Sequence, residues 1–170
     1  MMLVLSSPQP LAAGHKLDEF SCGEVSLDDW LKRRAMSNQL AGASRCFVVL
    51  DEQTKVRGYY AMAAGAVAHQ LATGNIRRNM PDPIPVLVLG RLAVDREAQG
   101  IKLGAALLQD AVNRALLVAQ NTGVRALLVH ALNDRAKAFY EYYGFQVSPQ
   151  DGMTLMLGLN SDQLDNIHHI

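Results

Sequence analysis

From Val86 to Val94 nearly every position is apolar, VLVLGRLAV, whereas from Ala105 to Leu116 apolar residues recur at spacings of three and four. The first pattern predicts a strand covered on both faces. The second, through Ala105, Leu107, Leu108, Ala111, Val112, Ala115 and Leu116, makes one stripe on a helix that begins near Gly104. The couple then repeats. An apolar run from Val124 to Ala131 predicts a strand, Asn133 is placed to cap a short helix reaching Tyr143, and Gly144 falls where helices stop in a left-handed residue.

Upstream the pattern is more broken. A strand is expected near Met2 to Leu5, followed by the polar loop HKLDEFSCGEVS. Ser26 with Asp29 resembles a capping box opening a helix from Leu27 to Leu40. Cys46 to Leu50 and Val56 to Ala68 predict a hairpin across DEQTK. Ala72 to Pro85 reads as the longest irregular segment, since Pro81, Pro83 and Pro85 each remove a backbone donor, and a long ordered loop is often functional. Met153 to Leu159 supplies a last strand. This order predicts an α/β fold with a mixed central sheet and flanking helices, in one domain spanning residues 1–170 whose polar tail, 160–170, is flexible.

Composition narrows the class. A chain of 170 residues with 49% hydrophobic and 19% charged positions suits one globular domain. MMLVL is too short an apolar run for a secretory signal and no run approaches a membrane span, so a cytoplasmic location is expected. Sixteen basic residues balance sixteen acidic ones, which excludes a globally basic nucleic-acid binder. Any nucleic-acid contact falls to local clusters: Lys32, Arg33 and Arg34 after Trp30, Arg77 and Arg78 at the opening of the proline loop, and Arg91 within the apolar strand. The first cluster equally fits a solvated helix face. Arg91 needs a partner or a polar groove, because a lone buried charge is costly. Cys22 and Cys46 are expected to be reduced structural thiols, His15, His69 and His130 surface or satisfied core residues, and no metal is expected; His168 and His169 belong to the tail.

The chemistry is concentrated in the first strand–helix couple. A strand, a tight turn and a helix N-terminus aim several free N–H groups in one direction, an arrangement that favours a phosphate and so implies a nucleotide-bearing cofactor. The turn lacks both GxxxxGK[ST] and GxGxxG, which removes the P-loop and the dinucleotide fingerprint.

Its form, Gln99-Gly100-Ile101-Lys102-Leu103-Gly104-Ala105, resembles the acetyl-coenzyme A pyrophosphate loop of the GNAT acetyltransferases, [QR]xxGx[GA], with Lys102 standing at the first motif glycine. A lysine there keeps its N–H and adds a cation, but lacks glycine's freedom to take positive φ. The piece AFYEYYGF likewise resembles the family's FYxxxGF signature. The resemblance implies Tyr140 as the acid that protonates the departing sulfur. It also implies backbone contacts to the pantetheine and acetyl carbonyl from Leu92, Ala93 and Val94 on a strand that splays from its neighbour, with Asn133 as a further cofactor contact.

A narrower likeness covers His15 to Leu159. FSCGEVSLDDWLKRRA, GASRCFVVL, GYYAMAAGAV, RRNMPDPIPVLVLGRLAVD and GVRALLVHA resemble the GNAT toxins of bacterial toxin–antitoxin modules. That resemblance implies acetylation of the α-amine of aminoacyl-tRNA, which blocks translation. It further implies a ribbon-helix-helix antitoxin, repression through operator DNA bound by the antitoxin complex, and a homodimer. An α-amine has a pKa of about 7.7–8.0 against about 10.4 for lysine, so an enzyme without a dedicated base suits it, with water as the proton carrier; Glu141, Asp95 and Glu97 remain alternative bases. Two other functions share these residues: a general GNAT acting on a small amine or a protein N-terminus, and a catalytically weak component of an antitoxin–DNA complex.

Overall fold

The computed structural model describes residues 3–160. The chain forms β1 (Gln9–Pro10), α1 (Val25–Arg33), α2 (Ala35–Leu40), β2 (Arg45–Leu50), β3 (Val56–Val67), α3 (Gly74–Arg77), β4 (Ile84–Val94), α4 (Leu103–Ala119), β5 (Ala126–His130), α5 (Asp134–Tyr142), β6 (Gln146–Val147) and β7 (Thr154–Gly158), with single 3-10 turns at His69–Leu71 and Arg96–Ala98. The strands make one seven-stranded sheet in the order β1-β2-β3-β4-β5-β7-β6. It is mixed: β4 and β5 run parallel, while β1–β2, β2–β3, β5–β7 and β6–β7 are antiparallel. The expected mixed-sheet α/β fold is what forms. Among the described residues no helix is long and apolar enough to cross a membrane.

Two compact units emerge, each built from separated stretches: residues up to 63 with 90–111, and 64–89 with 112 onward. In the first, β2 and β3 pair with Cys46 opposite Ala61 and Val48 opposite Tyr59, so these side chains share one face. On that face Leu31 and Ala35 join Cys46, Val48, Tyr59 and Ala93 in a core that Leu27, Trp30 and Met36 pack against. In the second unit, Ile76 and Ile84 join Val67, Ala72, Val86, Ala126, Leu128 and Met156. The β4–β5 ladder runs from Val86↔Ala126 to Leu89↔Val129, and β4 itself continues to Val94. The motif strand therefore outlasts its parallel ladder.

The N-terminal half departs from expectation. Residues 3–5 form no strand, Met2 lies outside the described residues, and the strand instead falls at Gln9–Pro10. The edge is held from Ser6, whose N–H donates to the Leu50 carbonyl and whose hydroxyl accepts from the Leu50 N–H. The expected helix from Leu27 to Leu40 is two helices broken at Arg34, and it begins two residues earlier. Ser26 does not cap it: Glu24 holds the N-cap position without a side-chain bond, and Asp28 accepts the Cys22 N–H at 2.9 Å. The expected capping box is not used, and the bond from Cys22, six residues back, ties the first turn of the helix to the preceding loop.

Downstream the agreement is closer. The hairpin, the motif strand, the stripe helix and the capped helix form within a residue or two of their expected limits, and the last strand is β7. The segment from Ala72 to Pro85 is less irregular than expected, since Gly74–Arg77 is helical and β4 begins at Ile84. The expected flexible tail, with His168 and His169, lies outside the described residues from 161 onward.

Candidate active site

In the first unit, β4 delivers Leu92, Ala93 and Val94 to a turn that leads through Arg96–Ala98 into α4. Gly100 and Lys102 both have positive φ, 84° and 64°. The lysine thus adopts the backbone that glycine would take freely, at a cost of about 1–2 kcal/mol. The first intrahelical bond of α4 runs from the Ala106 N–H to the Lys102 carbonyl, which makes Lys102 the N-cap. Lysine has no acceptor to return to the helix. The N–H groups of Leu103, Gly104 and Ala105 are thereby left for an external anion, with the exposed Lys102 beside them. These residues fit a diphosphate.

The turn is anchored from beneath by charge. Arg57 on β3 donates to Asp51, Asp95 and Glu97, each at 3.0 Å. Asp95, 3% exposed, also accepts the N–H of Ser21 and of Glu97. Burial would raise the Asp51 pKa, but N–H bonds from Lys55 and Gln53 and the Arg57 guanidinium outweigh it and hold the carboxyl below its ordinary value. The Gln99 amide donates to the carbonyls of Cys22 at 3.1 Å and Val94 at 3.0 Å, and the Arg96 N–H donates to the Ser21 carbonyl. The Gln99 side chain is thus a brace across its own turn. Asp95 and Glu97, considered as bases, are committed to Arg57.

Arg91 finds its partner here: its guanidinium carbon sits 4.5 Å over the Trp30 ring, which lies nearly parallel to Tyr59, at 9° and 6.0 Å. Lys32, Arg33 and Arg34 are exposed at the end of α1. Cys22 and Cys46 are free thiols, pushed up to about 11 and about 12 chiefly by burial.

In the second unit, Asn133 caps α5 as expected, its side-chain oxygen accepting the Ala136 N–H at 2.9 Å. The far end closes at Gly144, φ 96°, where the Gly144 N–H donates to the Glu141 carbonyl and the Phe145 N–H to the Tyr140 carbonyl. This is a Schellman motif, with its usual apolar contact made by the Tyr140 and Phe145 rings, 5.4 Å apart. Phe139 abuts Tyr140 edge-on at 5.3 Å. Tyr140 is 8% exposed, and burial raises its pKa, so the phenol stays protonated across the cellular pH range.

The proline loop is fixed in the same unit. The His69 ring Nε2 lies 2.8 Å from the carbonyls of both Met80 and Pro81, so that nitrogen carries the proton and donates. Arg125 donates to the carbonyls of Asn75 and Ile76, and Ile76 is fully buried. Arg77 and Arg78 are exposed on this anchored segment, with Arg77 reaching the Ala72 carbonyl at 3.4 Å. Sequence reading missed Arg57, Asp51 and Ser21 as supports of the turn. Their partners are distant along the chain, 38 residues between Arg57 and Asp95, so no local spacing marks them.

A model of the acetyltransferase (GNAT) domain matches residues 42–147. The chain is 51% identical over 152 residues to the tRNA-acetylating toxin of Mycobacterium tuberculosis, covering 89% of this chain and 91% of that protein. Among solved structures it is similar to AtaT complexed with acetyl-methionyl-tRNAfMet, with a TM-score of 0.86, 27% identity and coverage of 95% and 98%. It is also similar to AtaTR bound with acetyl-CoA, with a TM-score of 0.81, 28% identity and coverage of 94% and 96%. With the family model spanning more than half the chain, and the strand, turn and capped helix in place, the protein belongs to the GNAT acetyltransferase family.

Proposed function

We propose that this chain is the toxin of a toxin–antitoxin module, an N-acetyltransferase that moves the acetyl group of acetyl-coenzyme A to the α-amine of aminoacyl-tRNA and so blocks translation. The 51% identity to the Mycobacterium tuberculosis toxin, over about nine-tenths of both chains, carries this reading.

Acetyl-coenzyme A supplies an activated thioester. The N–H groups of Leu103, Gly104 and Ala105, with Gly100, Ile101 and Lys102, receive its diphosphate, and Gln99 holds the turn in shape. Asn133, at the start of α5, is by the resemblance a further cofactor contact. Backbone groups of Leu92, Ala93 and Val94 hold the pantetheine and polarise the acetyl carbonyl, stabilising negative charge as it develops on oxygen. Tyr140 donates its phenolic proton to the sulfur as the carbon–sulfur bond breaks. Its raised pKa keeps the phenol protonated at cellular pH but makes it a weaker acid than the thiol it forms, of pKa about 8.5, so donation requires close contact with the departing sulfur. With Asp95 and Glu97 bound to Arg57, water carries away the amine proton. Lys32, Arg33, Arg34, Arg77, Arg78 and Arg91 face the RNA, with Arg77 and Arg78 on the loop that His69 fixes.

The finer assignments follow the resemblance: one domain, a cytoplasmic homodimer, a ribbon-helix-helix antitoxin, and operator DNA contacted through the antitoxin complex. The reaction is tested with total charged tRNA and labelled acetyl-coenzyme A, followed by nuclease digestion and mass spectrometry. N-acetylated aminoacyl-adenosine, lost in Tyr140→Phe, is the expected product. Transfer to small amines but not to charged tRNA would replace this reading with a general acetyltransferase.

A further inference from the structure

The first unit holds two strand arginines in opposite ways. Arg57 commits its donors to three carboxylates. Arg91 is held by its face, over Trp30, and none of its N–H donors meets a carboxylate or carbonyl among the described residues. An indole attracts a guanidinium through its ring quadrupole and leaves the planar fork of donors open at the edges. The half-buried Arg91 is therefore a partly desolvated, oriented cation with uncommitted donors.

Trp30 is fixed firmly enough to orient it. The N-terminal turn of α1 is tied by Asp28 to the Cys22 N–H at 2.9 Å, and the Leu27 carbonyl accepts the Tyr59 hydroxyl at 2.7 Å. Tyr59, fully buried, then lies parallel to the Trp30 ring. Strand alternation puts Arg91 on the same face of β4 as Ala93, which belongs to the core that Trp30 packs against. Arg91 also directly precedes Leu92, Ala93 and Val94. A cation at that point adjoins the reacting end of an acceptor whose next charged group along the chain is a phosphodiester.

We infer that Trp30 is a positioning residue that presents Arg91 as a phosphate fork to the single-stranded 3′ end of charged tRNA. The inference rests on the aminoacyl-tRNA reading and assigns it a particular contact. A fork to a phosphate is a charge-assisted, two-donor bond, and its loss shows in substrate affinity and in salt dependence.

The test measures acetylation rates at varied charged tRNA, acetyl-coenzyme A and salt, with melting temperature and acetyl-coenzyme A titration as controls on folding. Arg91→Met is expected to raise the KM for charged tRNA about tenfold and leave that for acetyl-coenzyme A within about twofold. It should also flatten the log–log salt slope of kcat/KM by roughly 0.7, the share of one single-strand phosphate. Trp30→Leu should reproduce part of both changes, about three- to tenfold in KM, and Trp30→Phe should restore most of it. In the Arg91→Met background, Trp30→Leu should add nothing further. An unchanged salt slope in Arg91→Met overturns the inference, as does an equal loss from Trp30→Leu with and without Arg91. If the unaltered protein transfers no acetyl group to charged tRNA, the functional reading falls and this inference with it.

Discussion

The turn before α4 and the helix that carries Tyr140 are held by different forces. The turn rests on charge and polar bonds: Arg57 gathers Asp51, Asp95 and Glu97, while Gln99 and Ser21 lace the loop together. Tyr140 sits against Phe139 and Phe145 on a helix closed by an Asn133 cap and a Gly144 stop. A polar frame suits a site that must display bare N–H groups to an anion. An aromatic cage keeps the phenol protonated, because removing water penalises its anion, and the same penalty means that a proton leaves it only to a base in direct contact.

Variants separate these two designs. Tyr140→Phe removes one hydroxyl from the cage, so kcat should fall by about 10²–10⁴ while the melting temperature and acetyl-coenzyme A binding stay near their original values. Measured acetyl-coenzyme A affinity that falls in step with kcat would show that the phenol holds the cofactor rather than donating a proton. Arg57→Met strips the cation from buried Asp95 and Asp51. We expect a loss of about 3–5 kcal/mol in denaturant unfolding, with acetyl-coenzyme A binding weakened as the turn loosens. Gly144→Ala imposes a side chain on a positive-φ stop and should destabilise by about 1–2 kcal/mol, with its kinetic effect in kcat rather than in the KM for acetyl-coenzyme A.

The pH profile sharpens the contrast. The acceptor amine must be neutral and Tyr140 protonated, so the rate should climb through about pH 7.7–8.0 as the amine loses its proton. Because the Tyr140 pKa is raised, the alkaline fall should come above the ordinary phenol value of about 10. A descending limb near pH 9 in kcat would contradict a caged acid. The polar frame responds at the other end: the lowered Asp51 pKa contributes stability that is present above the unfolded-state value and is lost as pH falls through the folded one. Smallest of all, Lys102→Gly should relieve the left-handed strain and raise stability by no more than about 1 kcal/mol. Comparison with Lys102→Met in acetyl-coenzyme A titrations then isolates the ammonium, worth about 0.3–1 kcal/mol beside a helix N-terminus.

Local pattern was enough for much of this molecule. The apolar run of β4, the stripe of α4 and the Asn133-to-Gly144 frame of α5 are near-neighbour signals, so they fixed both motif couples before any fold was known. The two motifs also marked the turn and Tyr140. Patterning failed at the N-terminal end: Glu24 took the N-cap position and Asp28 bonded the Cys22 N–H six residues back, with the expected Ser26 cap unused, while the N-terminal strand took its place from its bonds to the distant β2 rather than from its own apolarity.

What the sequence determined alone was the elements of the motif couples, their order, the family and the candidate residues of the site, because helix caps, stripes and turn motifs act within a few residues. What tertiary structure decided was the state of those groups. It turned Asp95 and Glu97 from possible bases into supports for Arg57, forced Lys102 into a left-handed backbone, caged Tyr140, and set Arg91 on Trp30. Charge pairing, burial and ring stacking depend on distances in space, and residues as far apart as Trp30 and Arg91 meet only when the strands and helices between them have folded.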